Sequence, residues 1–275
     1  MSYLTKLFLA LLLLGLWACG DNIDPPVKPS ELTKAKREQL GDRLRLSIAT
    51  DQELFPVLPA IPPYDTSVYW YIQTLYNQVT NVMHLDKQSP VADRWDSSRK
   101  WSVTVLDKEN RNAFILPGGH LYITTGMLKG MRDEYELYYL LAFEASVMNE
   151  KYLLNHLIAN YSSTVLNSLA LASPSTSNGA MAEFISQMEL DQEEVRSLDL
   201  ITAELICETS IIDPKGIIPI IEFLDLSVDW LKNRPSYGNR SEYIMNEINT
   251  PRQVESCGNF KSNGGYQRYV LDKLE

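Results

Sequence analysis

From Asp133 to about Ser168 the sequence is helical in pattern and strongly apolar, and Leu140-Leu141-Ala142-Phe143-Glu144-Ala145-Ser146-Val147 sets one carboxylate in its middle. Two extended segments come before it, Asn112 to Leu116 and His120 to Thr124, with Pro117-Gly118-Gly119 between them. Trp101 to Leu106 alternates apolar and polar residues as a strand does. A few short strands leading into a long apolar helical run fit one mostly helical α+β domain with a small β-sheet. No internal repeat is present.

Around this centre the pattern is helical. Ser30 is placed to cap a helix from Glu31 that carries Leu40, Leu44 and Ile48 on one face. Pro56, Pro59, Pro62 and Pro63 mark a loop, and Asp65-Thr66-Ser67 opens a helix with Val68, Ile72, Leu75, Val79 and Val82 as its stripe. Residues Ala172 to Ala180, rich in Ser, Ala, Asn and Gly, read as a mobile loop. Glu183 to Ile212 reads as one long helix, broken by Asp213-Pro214-Lys215-Gly216 before another that runs to about Lys232. The tail from Asn233 is rich in Gly, Asn, Ser and Tyr and ends in a short helix near Tyr266 to Leu274.

The N-terminus is a processing segment. Lys6 and the apolar run Leu7 to Leu16 are too short for a permanent span, and Leu16-Trp17-Ala18-Cys19 looks like a lipobox. Residues 1–18 are therefore expected to be a lipoprotein signal peptide. Cys19 is the expected lipidation site, residues 19–30 a proline-rich tether, and 31–275 a single domain. A net charge of −10 argues against nucleic acid as a partner and against an electrostatic grip of the whole chain on anionic lipid. Of the other cysteines, Cys207 lies in an apolar helical stretch; it either pairs with Cys257, as an oxidising compartment permits, or stays a buried thiol.

Helix-borne zinc peptidases place two imidazoles at i and i+4 so that both face one ion, with a glutamate beside the first to polarise water. Asn112-Ala113, Pro117-Gly118-Gly119, Gly126-Met127-Leu128 and the helix leading to Glu144, in that order, resemble the zinc metallopeptidase family that includes CAAX prenyl proteases and HtpX-like and periplasmic BepA-like enzymes. Gln39-Leu40-Gly41 and Ile212-Asp213-Pro214 extend the resemblance upstream and downstream. It implies a zincin-like domain with Asn112, Ala113, Gly118, Gly119 and His120 along a peptide-binding strand, and Glu144 in the general-base position.

The ligand positions depart from that family. Phe143 and Val147 stand where it has its histidines, and Val195 falls at the third ligand if Asp199 is the family's aspartate. A slip of one residue puts Glu194 there, and Glu193 is the other carboxylate nearby. Neither Phe nor Val offers a lone pair, and catalytic zinc takes three protein ligands. The remaining histidines, His84, His120 and His156, form no metal pair at helical spacing. Without metal, Glu144 is either solvated in an open cleft or held by a buried partner.

The expectation is thus a pseudopeptidase lipoprotein of the bacterial envelope, on the periplasmic side of the outer membrane or the cell surface, with no cofactor. It would bind extended polypeptide by strand addition along Asn112 to Thr124 in envelope or outer-membrane protein quality control. An active zinc endopeptidase with Glu144, His120 and Glu194 as ligands requires those side chains to converge. A purely structural lipoprotein requires a closed apolar site with no free strand edge.

Overall fold

The computed structural model describes residues 32–60, 66–82, 101–149, 152–171, 176–209, 229–235, 238–249 and 265–274. The expected signal peptide, Cys19, the tether, His84, the Asp213-Pro214 break and Cys257 lie outside them. The architecture is a mostly helical α+β domain built around a three-stranded sheet in the order β1-β3-β2.

Helix α1 (Lys34–Thr50) and helix α2 (Thr66–Val82) precede β1 (Ser102–Leu106), β2 (Ala113–Leu116) and β3 (His120–Thr124). Thr33 caps α1, its hydroxyl accepting from the amide of Lys36; Ser30, the expected cap, lies outside the described residues. β1 runs parallel to β3, and β2 joins β3 as an antiparallel hairpin. The register sets Val103, Val105, Ala113, Ile115, Leu121 and Ile123 on one face, and Ser102, Thr104, Phe114, Leu116, Tyr122 and His120 on the other. The second face meets α1, since His120 Nε2 lies 3.6 Å from Asp42. Phe114 and Tyr122 stack there at 5.1 Å, with Phe55 against Phe114.

After the short α3 (Thr125–Gly130), the apolar run divides into α4 (Glu134–Asn149), α5 (Tyr152–Asn160) and α6 (Ser163–Leu171). α4 is the central helix, with every residue from Leu137 to Val147 buried. It packs on α2, on β2 and on α8 (Gln192–Thr209). α1 packs on α6 and α7 (Thr176–Ser186). The chain then continues through α9 (Asp229–Lys232) and α10 (Arg240–Asn249) to a π-helical stretch, Gln267–Leu271, that runs into α11 (Asp272–Leu274).

Three expectations change. Residues 176–180, read as loop from their Ser, Asn and Gly content, form the first turns of α7; Asn178 is buried there with its amide on Leu169 O, so tertiary contact overrides propensity. The long helix expected from Glu183 ends at Ser186, where the amides of Gln187 and Met188 turn back to Phe184 and Ile185. A capping box then restarts it: Glu194 N donates to Asp191 Oδ1 and Asp191 N donates to Glu194 Oε2. The tail beyond Asn233 is partly helical, as α10, because Arg240 and Ile244 are anchored in the core.

Gly41 shows why one motif residue is needed. A Cβ there would lie 1.6 Å from the Pro117 carbonyl oxygen, so α1 crosses the Pro-Gly-Gly turn at a distance only glycine permits. Gly119 has φ +89, and a Cβ on it would meet the Trp101 ring at 2.6 Å. Gly179 sits in a helix with only Asp51 Oδ2 near, at 3.9 Å. Gly179→Ala is therefore expected to stabilise the protein by about 0.5–1 kcal/mol. Gly41→Ala, the same exchange in another helix, is expected to cost about 1–3 kcal/mol through overpacking. Urea denaturation of the two variants checks the opposite signs.

Candidate functional site

Glu144 is fully buried on the central helix and is held by two donors from the C-terminal part of the chain. Trp230 Nε1 donates to its Oε1 at 2.6 Å, and Arg234 Nη2 donates to the same oxygen at 3.0 Å. Arg234 is itself buried, 3% exposed. Of the alternatives the sequence left open for Glu144, the structure therefore shows the buried partner and not the open cleft.

The donors are fixed by backbone contacts. Trp230 N donates to Arg111 O, Leu190 N donates to Asn233 O, and Arg234 Nη1 donates to Met188 O. These bonds hold α9 and the following turn against the loop before β2 and the loop between α7 and α8. The Arg234 guanidinium also lies 5.7 Å from the Trp230 ring centre.

Phe143, Val147 and Val195 are all completely buried. The Phe143 ring meets Trp230 edge-on at 5.3 Å and 78°, and Tyr139 lies one turn earlier at 6.0 Å. One turn along α8 from Val195, Asp199 is buried and takes a two-pronged contact from Arg240, at 2.6 Å to Oδ2 and 2.8 Å to Oδ1. Tyr139 OH donates to Asp199 as well. Two arginines from the tail thus each clasp a carboxylate on the two core helices.

Glu144, His120 and Glu194 are not brought together. His120 Nδ1 shares a hydrogen bond with Ser102 Oγ at 2.7 Å, and its Nε2 faces Asp42. Glu194 caps α8 and contacts His156 Nε2 at 3.0 and 3.1 Å. Among the described residues no group of three His, Cys, Asp or Glu side chains is placed to hold a metal ion. The zinc that the fold implies does not fit these residues: the positions that would face it carry hydrocarbon, and the one carboxylate is already bound to a cation.

Asn112 to Leu116 occupies the outer position of the sheet, as a peptide-binding strand would, yet Ala113, Phe114, Ile115 and Leu116 are all buried. α4 and α7 cover them, and Asn112 Nδ2 donates to Ser186 O at the end of α7. Gly118 and Gly119 form the turn beneath α1. α7, whose first turns were expected as part of a mobile loop, thus closes this strand together with α4.

Trp230, Arg234, Tyr139 and Arg240 did not emerge from the sequence. The contacts of Trp230 and Arg234 with Glu144 span 86 and 90 residues, and no local spacing signals a pair at that range. The buried Glu144 was the available signal, because such a carboxylate requires a partner somewhere in the chain.

The fold is consistent with a zincin-like peptidase domain, and the positions expected to face its metal, Phe143, Val147 and Val195, are packed with side chains. The profile of peptidase family M48 matches residues 84–210. The chain is 24% identical over 200 residues to the mitochondrial metalloendopeptidase OMA1 of Bos taurus, covering 65% of this chain and 38% of that protein. It is 27% identical over 171 residues to the same-named protein of Homo sapiens, covering 54% and 32%. These findings support the M48 zinc metallopeptidase family for this chain. The chain spans only about a third of the length of these relatives.

Burial pushes the Glu144 carboxyl above the ordinary carboxylate range, against the pull of the Arg234 charge and the two hydrogen bonds. A carboxyl raised in the folded state binds its proton more readily there than in the unfolded chain. Its ionisation therefore costs stability as pH climbs past the ordinary glutamate value, about 4.3, through the folded value, and acidification removes that cost. Arg234→Met leaves the carboxylate buried without its cation and is expected to cost about 3–5 kcal/mol at neutral pH. The deficit should narrow as pH falls from neutral toward about 4.3, below which the carboxyl is protonated in both states. In Glu144→Gln/Arg234→Met it should be smaller at neutral pH and largely independent of acidification. Urea denaturation of the variants across pH checks all three statements.

Proposed function

We propose that this chain is a lipid-anchored protein of the bacterial cell envelope, on the periplasmic side of the outer membrane or the cell surface, with a metallopeptidase-like fold that does not hydrolyse peptides. The observation that carries the reading is the occupied centre: Glu144 bound by Arg234 and Trp230, with Phe143, Val147 and Val195 buried at the ligand positions. A general base must reach an attacking water, and here its Oε1 is committed to two donors in a solvent-free core. Catalysis by Glu144, His120 and Glu194 needs a convergence that the geometry does not supply.

The Leu16-Trp17-Ala18-Cys19 sequence supports the lipid anchor. Cys207 is disulfide-bonded, which agrees with an oxidising compartment. Binding of extended polypeptide, in envelope or outer-membrane protein quality control, is supported by β2 being the outer strand of the sheet. Its burial means that a peptide adds to β2 only after α7 lifts away. That same burial favours a second reading, a purely structural lipoprotein.

The test is elemental analysis of the purified full chain for zinc, run beside a casein hydrolysis assay. The expected result is zinc at background and no cleavage above a boiled control. Stoichiometric zinc with chelator-sensitive cleavage, abolished by Glu144→Gln, overturns the proposal.

A further inference from the structure

Charged residues make up 22% of this chain, yet from Tyr152 to Ala182 there is no Asp, Glu, Lys or Arg. The stretch contains α5, α6 and the first half of α7. It is not all core. Asn155, Ala159, Asn160, Thr164, Ser168 and Ala180 are exposed, all uncharged, and so are Val165 at 42% and Leu171 at 67%. A solvent-facing surface of an acidic protein ordinarily carries charge for solubility, so a bare strip of this length calls for another neighbour.

The element packed beside the strip has the opposite character from the rest of the chain. α1 lies against α6 and α7 and holds five basic residues to two acidic ones, in a chain whose net charge is −10. Exposed on it are Leu46 at 39% and the ion pair of Arg45 with Asp42 at 3.8 Å, while Lys36, Arg37 and Arg43 are partly exposed. A helix of net positive charge flanking an uncharged, partly apolar face is the arrangement that anionic lipid attracts, while the acidic remainder is repelled.

The N-terminus adds proximity. Leu32, the first described residue, lies thirteen positions after Cys19 and leads directly into α1. Thirteen residues reach at most about 45 Å when fully extended. A lipid on Cys19 therefore holds α1 and its neighbours near the bilayer at high effective concentration, where a weak surface affinity suffices to orient the domain. Among the described residues no helix is long and apolar enough to cross a membrane.

We infer that the face formed by α1, α6 and α7, with Leu46, Val165 and Leu171 at its apolar points and Arg45 at its edge, is the surface this domain lays on an anionic lipid bilayer. The inference rests on the lipid-anchored reading above for its proximity argument, and the experiment separates the two.

Leu171→Cys, Val165→Cys and, as a control on α10, Glu242→Cys are labelled with an environment-sensitive nitrobenzoxadiazole dye in the full chain. One arm reconstitutes the chain through its own N-terminus into vesicles of phosphatidylethanolamine and phosphatidylglycerol. A second arm replaces residues 1–19 by a polyhistidine tag on vesicles that include a nickel-chelating lipid. Expected in both arms are blue-shifted emission and quenching by brominated acyl chains at 165 and 171, with neither at 242. Arg43→Glu/Arg45→Glu should weaken the shift, as should raised salt. Equal emission at 171 and 242 in the tagged arm overturns the inference, as does a shift that a soluble envelope extract produces and vesicles do not. Mass spectrometry showing no lipid on Cys19 overturns the anchor reading alone, because the tagged arm still reports on the surface.

Discussion

The contact between Glu144 and Arg234 governs this structure, because neither group tolerates its position without the other. Moving a carboxylate or a guanidinium out of water costs several kcal/mol each after relaxation, and only a close partner offsets it. The pair is not ideally made. One oxygen, Oε1, takes both donors, while Glu144 Oε2 and Arg234 Nε are buried with no hydrogen-bond partner among the described residues. Such a pair contributes little net stability over a well-packed hydrophobic core, but breaking one half leaves an uncompensated charge. It therefore acts as a constraint on geometry: α4 keeps its place only when the α9 segment is docked.

The second clasp has the better geometry. Arg240 presents its Nε and Nη2 to the two oxygens of Asp199, and Tyr139 completes the set. Its elements differ as well, tying α10 to α8 where the first ties the Trp230–Arg234 segment to α4. Both core helices are thus fastened from the C-terminal side by one arginine each. A chain ending before Arg234 would bury two carboxylates with no cation, so the tail belongs to the core of this domain although its composition resembles a loop.

The sheet, α4 and the apolar faces of α1 and α2 were legible because each rests on a local period, two for strands and near 3.6 for helices. Gly41 belonged to a recognised motif, and its reason is now physical, a backbone crossing against Pro117. What escaped was of two kinds. The first turns of α7 look like a loop because Ser, Asn and Gly disfavour helix in isolation, and the packing of α7 on α1 and β2 reverses that preference. Trp230, Arg234 and Arg240 escaped because their partners lie at long range, and sequence spacing carries no information on such pairs. The break at Gln187 to Asp191 was readable in principle, since Asp191 and Glu194 form a capping box.

On the proposed reading, side chains do the work that a metal does in a zinc peptidase. A bound zinc ion supplies positive charge, a fixed point joining separate helices, and folding free energy. In this chain each of those jobs has a side-chain counterpart. Arg234 brings the charge to Glu144, Phe143 and Trp230 fill volume at the centre with an edge-on aromatic contact, and the Arg240–Asp199 clasp joins helices across the site. The substitution is asymmetric in function, because a guanidinium neither activates water nor leaves a coordination position open. On that reading, histidines introduced at 143 and 147 alone would place two ligands beside a cation and remove the aromatic packing that holds Trp230. Recovering metal chemistry therefore requires moving Arg234 as well, and with it the segment that closes the core.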